Sequence, residues 1–198
     1  MASSVVSGIT ELPWAHLAPS ARVDFLHLLC SNKPALRVMT RSADTDVRGQ
    51  VERWAMQHDL GAASDMSFTW VASSDAVAAR LLEIDVSTTA HEVELGRALG
   101  YPACCIASIA SVGEAEIDEC ADAIRQWRFA GTFAMIDPHG YEEGRALISH
   151  LPCRPDCLAS LRLAQRAARW VRASEPRDVE PWRTWRQAVE QRVAAVHQ

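Results

Sequence analysis

Apolar positions along residues 1–85 alternate between helical and strand periods. Ser20 is placed to cap a helix over Ala21–Cys30, whose apolar face is Val23, Leu26, His27 and Cys30. Ala35–Thr40 is short and partly alternating, a strand pattern. Val47–His58 reads as a helix ended near Gly61, with Val51, Trp54 and Ala55 inward. Phe68–Ala72 has strand composition, and Ser74 is placed to cap a helix over Ala76–Leu82.

From Ser87 onward the pattern is mostly helical. Thr89 is a candidate cap for a helix over His91–Leu99 that Gly100 stops, and Pro102 stands at the first turn of Ala103–Val112. After Gly113, Glu114–Arg128 carries acid at its start and arginine at its end, the favourable order for the helix dipole. Thr132–Ile136 predicts one more strand, followed by the turn Asp137-Pro138-His139-Gly140. Tyr141–Ile148 reads as helical, and Pro155 as the opening of a long helix to about Ala173. Pro176 and Pro181 mark a linker before an amphipathic helix over Trp182–Val196. The predicted class is α+β. A small N-terminal α/β unit spans residues 1–85, a helical unit 86–173, and a linker with the last helix 174–198.

Composition narrows the functional classes. The chain has 198 residues, 48% hydrophobic and 23% charged, enough for a real core. A formal net charge of -5 gives no electrostatic reason to bind nucleic acid or an anionic membrane. Of 20 basic residues only Lys33 is lysine, which leaves one candidate for Schiff-base chemistry. Residues 1–9 lack a basic leader region, Glu11 follows, and no window of 18 apolar residues occurs, so a cytoplasmic setting is expected. There thiols stay reduced, and clustered cysteines point to metal or redox chemistry. Glycine-rich phosphate loops, H-E-x-x-H, G-x-S-x-G and C-x-x-C-H are all absent.

The candidate chemistry lies in two strings, Tyr101-Pro102-Ala103-Cys104-Cys105 and His150-Leu151-Pro152-Cys153-Arg154-Pro155-Asp156-Cys157. Each places thiols near a proline-introduced helix start, where free N–H groups and the positive dipole end favour thiolate. Cys153 and Cys157 can face one point, His150 can join them from the incoming loop, and one of Cys104 and Cys105 is expected to complete the set. Thiolates with an imidazole suit zinc or iron. Cys30 and Cys120 read as core packing. His91 and His139 are further candidates for a cofactor or substrate site, with Tyr101 beside them. Trp182 and Trp185 lie among Arg183 and Arg186 on the last helix, which either covers the protein's own core or docks a partner.

With their flanks, Leu95-Gly96-Arg97-Ala98-Leu99-Gly100-Tyr101-Pro102-Ala103-Cys104-Cys105 and His150 to Ser160 resemble the paired signatures L-G-Y-P-x-C-C and H-x-P-C-x-x-x-C-x-x-S of a prokaryotic family of domains of unknown function. The resemblance covers roughly residues 90–165 and implies that Cys104, Cys105, His150, Cys153 and Cys157 belong to one site. A more distant likeness is to bacterial heme-carrying tyrosine hydroxylases with an H-x-x-x-C arrangement; here the spacing is His150-x-x-Cys153, one residue shorter.

Three readings remain open on these residues. An iron centre, heme or iron–sulfur, implies an oxidoreductase acting on a small molecule that approaches past Tyr101, His91 or His139. A closed zinc site implies a structural module serving a protein partner or a second copy of the chain. A metal-free Cys153/Cys157 pair implies thiol redox work.

Overall fold

The computed structural model describes residues 11–40, 46–87, 91–113, 116–174 and 180–194, and the chain is α+β with a mainly helical C-terminal half. The N-terminal half contains α1 (Pro19–Leu29), β1 (Leu36–Met39), α2 (Val47–Gln57), β2 (Gly61–Ser64), β3 (Phe68–Ala72) and α3 (Asp75–Asp85). The strands form one antiparallel sheet in the order β1-β3-β2, with Leu36 opposite Val71 and Gly61 opposite Ala72. Central β3 is covered on both faces, which is why Phe-Thr-Trp-Val-Ala has little polar alternation. Val71, with Leu36 and Val38, meets α1 and α2 through Leu26, Val51 and Trp54. Trp70 and Ala72 meet Ala78, Leu81 and Ile84 of α3. Asp85 ties that layer down, accepting from Trp70 Nε1 at 3.0 Å and from Arg37 Nε at 2.7 Å.

The C-terminal half contains α4 (Glu92–Ala98), α5 (Ala103–Val112), α6 (Ile117–Arg125), 3-10 turns at Gly131–Ile136 and Pro138–Gly140, α7 (Leu158–Ala173) and α8 (Glu180–Ala194). One buried cluster runs from Leu12 through Phe25, Trp54, Cys105, Leu147 and Cys157 to Trp182, Trp185 and Val189. Edge-to-face contacts link Trp14 with Phe25 and Trp185, and Trp170 with Trp182. Both tryptophans of α8 therefore cover the protein's own core.

Several sequence expectations change. Ser74 caps α3 as anticipated, its side chain accepting from Val77 N–H, and Asp46 does the same for α2 from Gly49 N–H. Helix α1 instead starts at Pro19, so Ser20 lies inside it. Thr132–Ile136, expected as a strand, falls in a 3-10 turn that packs on α7 and α8, and it pairs with no strand among the described residues. Tyr141–Ile148 is a sequence of turns: Gly144 has φ +72°, and the Gly140 carbonyl accepts from both Arg145 and Ala146 N–H. Pro155 does not open α7, which begins three residues later. The Thr89 cap falls outside the described residues, as do positions 114–115 of the expected third helix. No helix among the described residues is long and apolar enough to cross a membrane.

Candidate metal centre

The first string is built by a helix stop followed at once by a helix start. Gly100 (φ +71°) ends α4: its N–H bonds Arg97 O at 3.0 Å and the Tyr101 N–H bonds Gly96 O at 2.9 Å, a Schellman closure. Pro102 then serves as N-cap of α5, so Cys104 and Cys105 fall in its first turn. The α4–α5 corner is tight, because a Cβ on Gly96 would sit 2.9 Å from Ile106 Cγ1.

The second string turns where the first caps. Cys157 N–H bonds Arg154 O at 3.2 Å, closing a four-residue turn with Pro155 at its second position. That turn folds Cys153 back beside Cys157, the N-cap residue of α7. Both strings thus deliver sulfur to helix N-termini, where the dipole favours thiolate.

The sulfur atoms of Cys104, Cys105, Cys153 and Cys157 all lie within 4.8 Å of one another. Cys104 is 3.9 Å from Cys105 and 3.8 Å from Cys157, and Cys105 is 3.8 Å from Cys157. Only one of the adjacent pair was expected at the centre, yet both arrive. Two of the four are buried, Cys153 is half-buried and Cys104 is exposed, so the cluster opens to solvent on one side. Cys30, half-buried, points its thiol at the His27 carbonyl, and burial pushes that thiol up to about 12.

His150 does not join the sulfurs directly. Its Nε2 is 2.8 Å from Ser160 Oγ, and that hydroxyl lies 3.3 Å from Cys157 Sγ and 3.4 Å from Cys105 Sγ. Fully buried Ser160 is the bridge between imidazole and thiols. It occupies the last position of the H-x-P-C-x-x-x-C-x-x-S string, one helical turn after Cys157, and that spacing was the only sequence sign of its role. Burial, then the charge of Lys33, lowers the His150 imidazole to about 3, so it is neutral.

Hydrogen bonding makes the thiols unequal. Burial raises the Cys157 thiol, but bonds from the Ser160 hydroxyl and backbone and from the Cys105 and Cys153 thiols outweigh it, leaving it at about 7. Burial raises Cys105 strongly against opposing bonds from Ser160 and the Cys153 backbone, and raises Cys153 to about 11.

Cys105, one of the four, also lines a cavity of about 830 Å³ between α4, α5, α6 and the 138–151 segment. Cys105, Tyr101, His139, Tyr141 and His150 all line it. His91 does not; it precedes α4 and its Nδ1 lies 3.8 Å from Glu94. Tyr101 and His150 pack with ring centroids 5.3 Å apart. Behind them lies a polar group that the sequence did not announce. The chain's single lysine, Lys33, forms a buried ion pair with Asp24 Oδ1, and Tyr141 donates to Asp24 Oδ2 at 2.8 Å. Lys33 Nζ also stands 5.0 Å from the Tyr101 ring centroid. So occupied, Lys33 is held charged: although burial works against it, Asp24 and Tyr101 raise its pKa.

No family model, no curated protein and no solved structure matches the chain.

Proposed function

We propose that Cys104, Cys105, Cys153 and Cys157 together bind one tetrahedrally coordinated metal ion, best fitted by zinc, and that this centre fixes the walls of a small-molecule cavity. The sulfur spacing carries the reading. Thiolates about 2.3 Å from a tetrahedral ion stand about 3.8 Å apart. The three separations among Cys104, Cys105 and Cys157 are 3.8–3.9 Å, and the Cys153 sulfur lies within 4.8 Å of each. A heme takes only one or two axial protein ligands, leaving the convergence of four sulfurs without a purpose. A four-iron cluster places each cysteine on a separate iron and spreads the sulfurs over a larger polyhedron.

Four thiolates close the coordination shell, which is the structural rather than the catalytic pattern for zinc. The ion would cross-link the start of α5 to the start of α7, and Ser160 would orient two of its ligands. Ligation needs reduced thiols, which supports a reducing, cytoplasmic setting. With iron in place of zinc the same ligands would make a one-electron centre. The position of Cys105, in both the cluster and the cavity wall, supports that second reading, an oxidoreductase acting on a cavity-bound molecule.

Elemental analysis, acid-labile sulfide and an absorption spectrum of protein purified without oxygen test this together. One colourless zinc per chain without sulfide is the expected result, and one iron without sulfide selects the second reading. Iron with sulfide, a Soret band, or metal-free protein overturns the proposal.

A further inference from the structure

We propose that the cavity beside the cysteine cluster binds a neutral, mainly apolar organic molecule carrying one hydroxyl group. The inference rests on the cavity and stands apart from the metal reading.

Its volume, about 830 Å³, falls within the range of small-molecule pockets. The wall from α4, α5 and α6 is mainly aliphatic, with Leu95, Leu99, Ile106, Ile109 and Ile117. Glu92 and Arg125 are its charged members, at the ends of α4 and α6, and the aliphatic part would bury an apolar body. The uncharged polar residues of the lining are Ser20, Tyr101, His139, Tyr141, Ser149 and His150, of which Tyr101 and His150 pack on each other. This combination of an apolar wall with a few grouped polar atoms is what a ligand with one polar end requires.

The charge inventory selects the kind of polar end. Asp24 neutralises Lys33 behind the tyrosines, so the ammonium is not free to pair with a ligand. The ionised residues of the lining are Glu92, Arg125 and Glu142, one more acid than base, and Arg125 already bonds Asp122 and Glu142. A carboxylate would lose its hydration without gaining a counter-charge. At the tyrosine end a cation would meet hydroxyl dipoles and an imidazole, with Asp24 already engaged by Lys33 and Tyr141, while the lining carboxylate Glu92 belongs to the mainly aliphatic wall, on α4. A neutral hydroxyl suits the site better. Tyr141 donates its proton to Asp24, which leaves its oxygen lone pairs to accept from a ligand O–H.

Calorimetric titration of the purified protein with para-pentylphenol, pentylbenzene, para-pentylbenzoate and para-pentylbenzylamine tests this. The phenol is expected to bind at least about tenfold tighter than the other three. Ile109→Trp and Ile117→Trp fill the cavity from different helices, and each should weaken phenol binding at least about tenfold while metal content and melting temperature stay near wild type. Tyr141→Phe should reduce the preference for phenol over pentylbenzene. Absence of binding by every probe, a charged probe binding as tightly as the phenol, or unchanged affinity in both folded tryptophan variants overturns the proposal. Metal content, read in the same samples, reports separately on the four-thiolate centre.

Discussion

Cys105 Sγ and Cys157 Sγ lie 3.8 Å apart although 52 residues separate them, and Ser160 Oγ touches both. Two helix N-termini have to meet for that to happen. The contact therefore ties local chain chemistry, a Schellman stop on one side and a proline turn on the other, to the meeting of α5 and α7 at their first turns.

Replacing either buried ligand should release the ion and loosen that junction. Cys105→Ser or Cys157→Ser is expected to reduce metal to below about a tenth of an equivalent and to cost several kcal/mol of stability, because the binding free energy of a structural ion is folding free energy. Elemental analysis and a thermal melt read both effects, and chelation of wild type should reproduce them. Cys30→Ser and Cys120→Ser serve as controls, and should keep full metal content because neither sulfur belongs to the cluster.

Ser160→Ala tests support rather than ligation. It removes the hydroxyl that contacts Cys157, Cys105 and His150 without removing a ligand. Metal affinity should fall by about 10–100-fold, the usual cost of losing an orienting hydrogen bond. Competition with a chromophoric chelator measures it. Affinity within twofold of wild type would show that Ser160 merely fills space.

The buried ion pair predicts a non-additive pair of variants. Lys33→Met leaves Asp24 buried with the Tyr141 hydroxyl as its remaining hydrogen-bond partner among the described residues, at an expected cost of about 3–5 kcal/mol. Lys33→Met combined with Asp24→Asn removes the uncompensated charge and should recover a substantial part of that loss. Urea denaturation of wild type, both single variants and the double variant gives the coupling. Additive losses would mean that the two side chains do not depend on each other.

Much of this arrangement was legible locally and some of it was not. Ser74, Gly100 and Pro102 each act within one helical turn, so the start of α3 and the stop and start that place Cys104 and Cys105 could be read from adjacent residues. The convergence of both adjacent cysteines could not, because it depends on where Cys157 arrives from across the fold. Strand β2, Gly-Ala-Ala-Ser, has no strand propensity of its own; pairing with β3 and the helices packed on it make it a strand. Thr132–Ile136 shows the converse, strand composition without a partner. Lys33 was conspicuous as the only lysine, but its partners Asp24 and Tyr101 are brought to it by the packing of α1 and the α4–α5 corner.

His27 predicts an acid limit to stability. It is buried, and its Nδ1 lies 2.9 Å from the Asn32 amide nitrogen, a donor that itself is held by Leu163 O, with Arg166 on the amide oxygen. Nδ1 must therefore accept, and a proton placed there would face another donor. Burial first, then the charge of Lys33, holds the pKa of His27 well below 6.5. In the unfolded chain the same imidazole takes up a proton near its ordinary value of about 6.5. Between those two values the unfolded state binds more protons. The stability contribution of neutral His27 is thus fully present above about pH 6.5 and is lost as the pH falls, by up to about 1.4 kcal/mol per pH unit. His27→Leu keeps the Asn32 bond to Leu163 and removes the titrating ring. Urea denaturation at a series of pH values from about 7.5 to about 5 should show the variant losing less stability on acidification, with slopes that differ by up to about one proton. Parallel slopes for wild type and variant would falsify the assignment of this acid sensitivity to His27.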